Sequence, residues 1–123
     1  MTAYLIDGKA IAAQIYEEIR AEVAQLKEKG ITPGLATVLV GENPASQAYV
    51  SSKQKTCTEC GFHSVGEHLP EDATQEQVEA LVARLNADPG VHGILVQLPL
   101  PKQLNEERVL SLFNLEKDVD GFH

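Results

Sequence analysis

Apolar residues recur early in the chain at Ile11, Ile15, Ile19, Val23 and Leu26, spacings of four and three that place them on one face of a helix. The pattern predicts an amphipathic helix over residues 7–29, with Asp7 as its N-cap and Gly30 just past its end. The intervening charges, among them Glu17, Arg20, Glu22 and Lys27, read as its solvated face. After Pro33-Gly34 the pattern turns from periodic to continuous, and Leu35-Ala36-Thr37-Val38-Leu39-Val40 suits a strand covered on both faces. Gly41-Glu42-Asn43-Pro44 then leads into a second helix, capped by Asn43, opened by Pro44 and running to about residue 60 before Gly61. Residues 62–69 alternate moderately and read as a second strand. Thr74-Gln75-Glu76-Gln77 is a capping-box pattern ahead of a helix whose buried stripe is Val78, Leu81, Val82 and Leu85. Residues 93–98 form a third buried strand, interrupted by Pro99 and Pro101, which cannot donate to a ladder. A short helix over about 105–113 turns Val109, Leu110, Leu112 and Phe113 inward, and the tail closes on Asp118-Val119-Asp120-Gly121-Phe122-His123 with no cap and no final element.

Strands that alternate with helices of this length predict an α/β fold, a three-layer domain with a mostly parallel sheet flanked by helices. With 123 residues, 43% of them hydrophobic, the chain can fill one core but not two, so residues 1–123 are expected to form one domain. A formal net charge of −8 argues against a protein that coats duplex nucleic acid. It leaves room for a small anionic ligand, which feels local cations rather than the sum. Two cysteines make no disulfide framework, residues 1–9 lack a secretory pattern, and no apolar run approaches the roughly 20 residues of a membrane span. The expectation is a soluble, cytoplasmic protein with neither a nucleic-acid nor a membrane partner.

Four features offer chemistry. Tyr49 and Lys53 lie four apart on the second helix, with Ser46 three before Tyr49, and this helix starts at the carboxyl edge of the sheet, where open α/β sheets bind ligands. The plain alternative is a snorkelling surface pair. A Tyr-x-x-x-Lys pair also marks short-chain dehydrogenases, but no two of the nine glycines are two apart, so both the dinucleotide fingerprint and the P-loop are missing, and the serine expected thirteen residues earlier falls at Ala36. Gln97 ends an otherwise apolar strand, where its amide needs either a ligand, a catalytic partner or a neighbouring loop. Cys57-Thr58-Glu59-Cys60 falls in the last turn of a helix, where the dipole disfavours a thiolate; buried small hydrophobes are the better reading, against a zinc site completed by His63 and His68. Asp118 and Asp120, taken alone, read as a turn or a helix cap.

The combination is more specific than any part. Gly41-Glu42-Asn43-Pro44-Ala45-Ser46, then Tyr49 and Lys53, then Asn86-x-Asp88, Ile94-Leu95-Val96-Gln97-Leu98-Pro99-Leu100 and Lys117-Asp118-Val119-Asp120-Gly121-Phe122-His123 closely resemble the N-terminal catalytic domain of the bifunctional methylenetetrahydrofolate dehydrogenase/methenyltetrahydrofolate cyclohydrolase family of the bacterial FolD type. The likeness covers residues 6–123. It implies that Lys53 is the general acid/base or electrostatic catalyst, that Tyr49 orients and stacks on the folate, and that Gln97 positions and tunes Lys53. It further implies that Asp120 hydrogen-bonds the pterin and that Leu98 and Pro99 form a wall of the pocket. Tetrahydrofolate derivatives are the implied substrates and NADP the implied cofactor, bound on a Rossmann-type domain that these residues do not include; a homodimer is implied for the full-length protein, and no metal. A stand-alone, non-catalytic folate-binding or assembly module is the alternative, which would have no need of Lys53. A piece ending at residue 123 is also expected to leave an apolar strip uncovered near residues 109–113.

Overall fold

The computed structural model describes residues 7–121; Ile6 and Phe122-His123 of the motifs above lie outside them. Its elements are α1 (Gly8–Glu28), β1 (Gly34–Val40), α2 (Pro44–Glu59), β2 (His63–Leu69), α3 (Gln75–Ala87), β3 (Gly93–Val96), α4 (Glu106–Ser111) and a 3-10 turn, Leu115–Lys117. The strands make a parallel sheet in the order β2-β1-β3, with Leu35 of β1 opposite Ser64 of β2 and Gly93 of β3. The expected α/β sheet with flanking helices is what forms.

Local chemistry explains the boundaries. Asp7 and Asn43 each accept two backbone N–H groups at the starts of α1 and α2, and Thr74 and Gln77 complete a reciprocal capping box on α3. β3 stops at Val96, two residues short of the expected end. Gln97 still donates its N–H to the Val38 carbonyl at 2.9 Å, but the next residues lead through a cis Leu98–Pro99 peptide and leave the sheet.

Side-chain parity divides the sheet into two faces. Ala36, Val38 and Val40 of β1 and Ile94 and Val96 of β3 pack with α3 and α4, and Val78, Val82 and Val109 are fully buried among them. Each such side chain is worth about 1.5–3 kcal/mol of burial, so this face holds most of the apolar stabilisation. Leu35, Thr37 and Leu95 point the other way, toward α1 and α2, where the Gln54 amide donates to the buried Thr37 hydroxyl at 2.9 Å.

The structure corrects the reading of α1. Of its predicted stripe only Val23 is buried, while Ile11 and Ile15 are 48% and 47% exposed. Helical spacing tells which residues share a face and not whether anything covers it. The C-terminal half of α1 is the part held, with Val23 against Gly61 and the Arg20 guanidinium donating to the Glu59 carbonyl at 3.3 Å. In α4 and the residues after it the expected inward set forms, with Val109 and Phe113 buried and Leu110 and Leu112 packed against the core, and this corrects the expectation of an uncovered strip near residues 109–113.

Candidate active site

Gly41, at φ +101, closes β1, and Asn43 starts α2 by accepting from the N–H groups of Ala45 and Ser46 at 3.0 and 3.1 Å. That start fixes the rotation of the helix. Ser46 and Val50 face inward, which leaves Tyr49 61% exposed and Lys53 one turn further along. From the other side of the sheet's centre comes Gln97, two residues after Leu95 and therefore on the face that looks toward α2. The Lys53 Nζ donates to the Gln97 Oε1 at 2.9 Å, and the Gln97 Nε2 donates to the Leu98 carbonyl at 3.3 Å. The amide is thus held at both ends, with its oxygen turned to the lysine.

Beside this pair lies a cavity of about 350 Å3 whose walls include Tyr16, Leu35, Phe62 and Leu95, with Cys57 and Cys60 also in its lining. Lys53 is the cation of that lining. Burial, and after it the neighbouring Cys60, push the Cys57 thiol above its ordinary value, which fits buried small hydrophobes and opposes a reactive thiolate. No group of three or more His, Cys, Asp or Glu that could hold a metal occurs among the described residues. His68 instead meets the Gly41 carbonyl at 2.7 Å and the Glu42 carboxylate at 3.5 Å.

Of the remaining predicted residues, Leu98 meets the pair through its backbone carbonyl alone. Leu98 packs its side chain against the core, opposite in parity to Gln97, and Pro99 is exposed beside it. Asp118 forms an isolated parallel bridge with Ile94, and its Oδ1 accepts the N–H of Gly121 at 3.1 Å, so for Asp118 the turn reading holds. Asp120 stands exposed in that turn, which starts alongside β3 and heads toward the end that carries Gln97.

Two residues that the motif patterns contained without a role prove to organise the stretch that leads into this turn, where α3 ends ahead of β3. The Lys117 ammonium donates to the carbonyls of Leu85, Asn86 and Asp88 at 3.2, 2.8 and 2.9 Å, and the Asn86 side chain holds the Leu112 carbonyl and the Asn114 N–H at 2.8 and 3.0 Å. No local signal announces them, because the partners are backbone groups about 30 residues away.

The β1–α2 turn does not suit a dinucleotide. Its first helical N–H groups are already taken by Asn43, the Glu42 N–H is held by the Glu71 carboxylate at 3.3 Å, and a Cβ at Gly41 would strike that carboxylate. A pyrophosphate would meet negative charge where it needs free donors.

Comparison with known proteins gives a consistent result. A family profile described as the tetrahydrofolate dehydrogenase/cyclohydrolase catalytic domain matches residues 6–120. The bifunctional protein FolD of Chelativorans sp. (strain BNC1) is 59% identical over 119 residues, which are 97% of this chain and 40% of that protein. Among solved structures, the bifunctional FolD enzyme of Campylobacter jejuni superposes with a TM-score of 0.93 at 53% identity, covering 95% of this chain and 42% of the other. The Trypanosoma brucei methylenetetrahydrofolate dehydrogenase-cyclohydrolase, solved with NADP cofactor and an inhibitor, gives 0.92 at 43%, over 98% and 41%. The chain spans less than half the length of these relatives. On this ground the chain belongs to the tetrahydrofolate dehydrogenase/cyclohydrolase family.

Proposed function

We propose that residues 1–123 are the folate-binding catalytic domain of a longer bifunctional enzyme that oxidises 5,10-methylenetetrahydrofolate to 5,10-methenyltetrahydrofolate with NADP and hydrolyses the latter to 10-formyltetrahydrofolate. The observation that carries the reading is the Lys53–Gln97 hydrogen bond, which sets an amine beside an open cavity on the face of the sheet that looks toward α1 and α2.

The hydrolytic step follows from those atoms. Water adds to the methenyl carbon, the bond from that carbon to N5 breaks, and one proton is released. The Gln97 Oε1 can only accept, so it keeps one N–H of Lys53 directed at itself and leaves the other positions on Nζ facing the cleft. There the amine takes the proton from the attacking water as general base, a role worth about 10²–10⁴-fold. The exposed ring of Tyr49, on the same helix face, stacks on the flat folate and orders it over Lys53. Asp120 accepts from the pterin ring N–H and exocyclic amine together, while the Leu98 backbone and Pro99 border the site.

The oxidation step transfers a hydride to the nicotinamide when NADP is bound. The β1–α2 turn offers that cofactor no seat, and the reading assigns its Rossmann-type domain to the additional length found in the relatives. With it come the expectations of a homodimer and a cytoplasmic setting; no helix among the described residues is long and apolar enough to cross a membrane.

Lys53→Met in the full-length gene product tests the reading. Cyclohydrolase turnover is expected to fall by at least about 100-fold, with the thermal midpoint nearly unchanged, because Lys53 is exposed. A variant that keeps most of its rate removes Lys53 as the catalyst and with it the chemistry assigned here, whereas a full-length gene product with no cyclohydrolase turnover of its own assigns the chain to the non-catalytic alternative.

A further inference from the structure

We infer that Lys117 is a positioning residue for the folate site, acting through the turn that presents Asp120; the inference rests on the assignment of Asp120 proposed above. The ammonium of Lys117 is spent wholly on backbone. Its three contacts are with the carbonyls of Leu85, Asn86 and Asp88 where α3 ends, two of which also accept a backbone N–H, and a cation there meets the negative end of the helix dipole. The residue therefore ties the stretch just before the Asp118–Ile94 bridge to the end of α3, and Asn86 ties the same stretch again through Leu112 and Asn114.

The tether matters because the turn itself lies at the surface. Asp118 bridges to Ile94 and accepts the Gly121 N–H, and the Val119 side chain meets the Gly93 backbone, while Val119, Asp120 and Gly121 are all exposed. A bidentate grip by Asp120 requires its carboxylate to be preplaced, since ordering a loose turn on binding would reduce affinity directly. Three short contacts converging on one nitrogen suit the compact ammonium of lysine; the planar fork of arginine matches them only in part.

A double-mutant cycle in the full-length gene product tests this, with Lys117→Met, Asp120→Asn and both together, assayed on 5,10-methenyltetrahydrofolate well below the melting temperature of every variant. Lys117→Met is expected to raise KM about tenfold with kcat within about twofold. Asp120→Asn is expected to raise KM at least as much, and the double variant no more than Asp120→Asn alone. Lys117→Arg should recover part of the lost affinity. Additive effects in the cycle, or a lowered melting temperature with KM unchanged, would make Lys117 a structural cap only and overturn the inference while leaving the Asp120 assignment standing. If Asp120→Asn leaves KM untouched, the assignment itself fails, and the inference with it.

Discussion

Lys53 and Cys57 stand one turn apart on α2 and line the same cavity, yet their surroundings ask opposite things of them. An amide oxygen receives the N–H of the lysine, whereas partial burial and a second thiol favour the neutral form of the cysteine. A raised thiol pKa means less thiolate at any given pH. Iodoacetamide is therefore expected to alkylate Cys57 in the folded protein more slowly than in the urea-unfolded chain at pH 8, and the folded rate should keep rising after the unfolded rate has levelled off. Peptide mass spectrometry over a pH series reads both. Equal rates at pH 8 would remove the packing account of the pair and reopen a redox role, which needs the opposite shift.

At the scale of elements, one close approach decides where β1 can start. Gly34 lies under the turn before β3, with its N–H on the His92 Nδ1 at 2.9 Å and its carbonyl accepting the His92 N–H at 2.8 Å, and a Cβ there would collide with the Gly90 carbonyl. Gly34→Ala should cost about 1–3 kcal/mol in urea unfolding, whereas Gly8→Ala, at the open start of α1 with nothing within 4 Å, should be neutral or slightly stabilising. Equal effects would mean that the turn yields easily. Caps, prolines and apolar runs made the helices and strands legible in the sequence because each is a local cause: Asn43 with Pro44, Thr74 with Gln77, residues 35–40. The order β2-β1-β3 and the Gly34 contact were not legible, since both join segments far apart in the chain. The candidate site divides in the same way. Tyr49 and Lys53 share a face by helical spacing alone, but the meeting of Lys53 with Gln97, 44 residues on, depends on strand parity and on β3 lying next to β1. Only the family resemblance brought those two together in the sequence.

Across the whole molecule the two sides of the sheet are finished to different degrees. Against α3 and α4 the packing is closed, with Val109 and Phe113 inside it. On the α1 side the cavity has apolar walls, and the neighbouring surface of α1 leaves Ile11, Ile15 and Tyr16 in water. Contiguous apolar surface of this kind associates when nothing else covers it. A protein of exactly these 123 residues is therefore expected to self-associate through α1 rather than through residues 109–113. Net charge −8 opposes the contact and salt screens it, so association should strengthen from about 0.05 to 0.5 M salt. Light scattering over a concentration series measures the mass, and Ile15→Glu, which sets a further negative charge in the middle of the exposed stripe, should return it toward the monomer without lowering the thermal midpoint appreciably, because Ile15 is already half in solvent. A wild-type chain that stays monomeric at high concentration and high salt would mean that the stripe is too narrow to bind another copy, and an Ile15→Glu variant that associates as before would place the contact elsewhere on the surface.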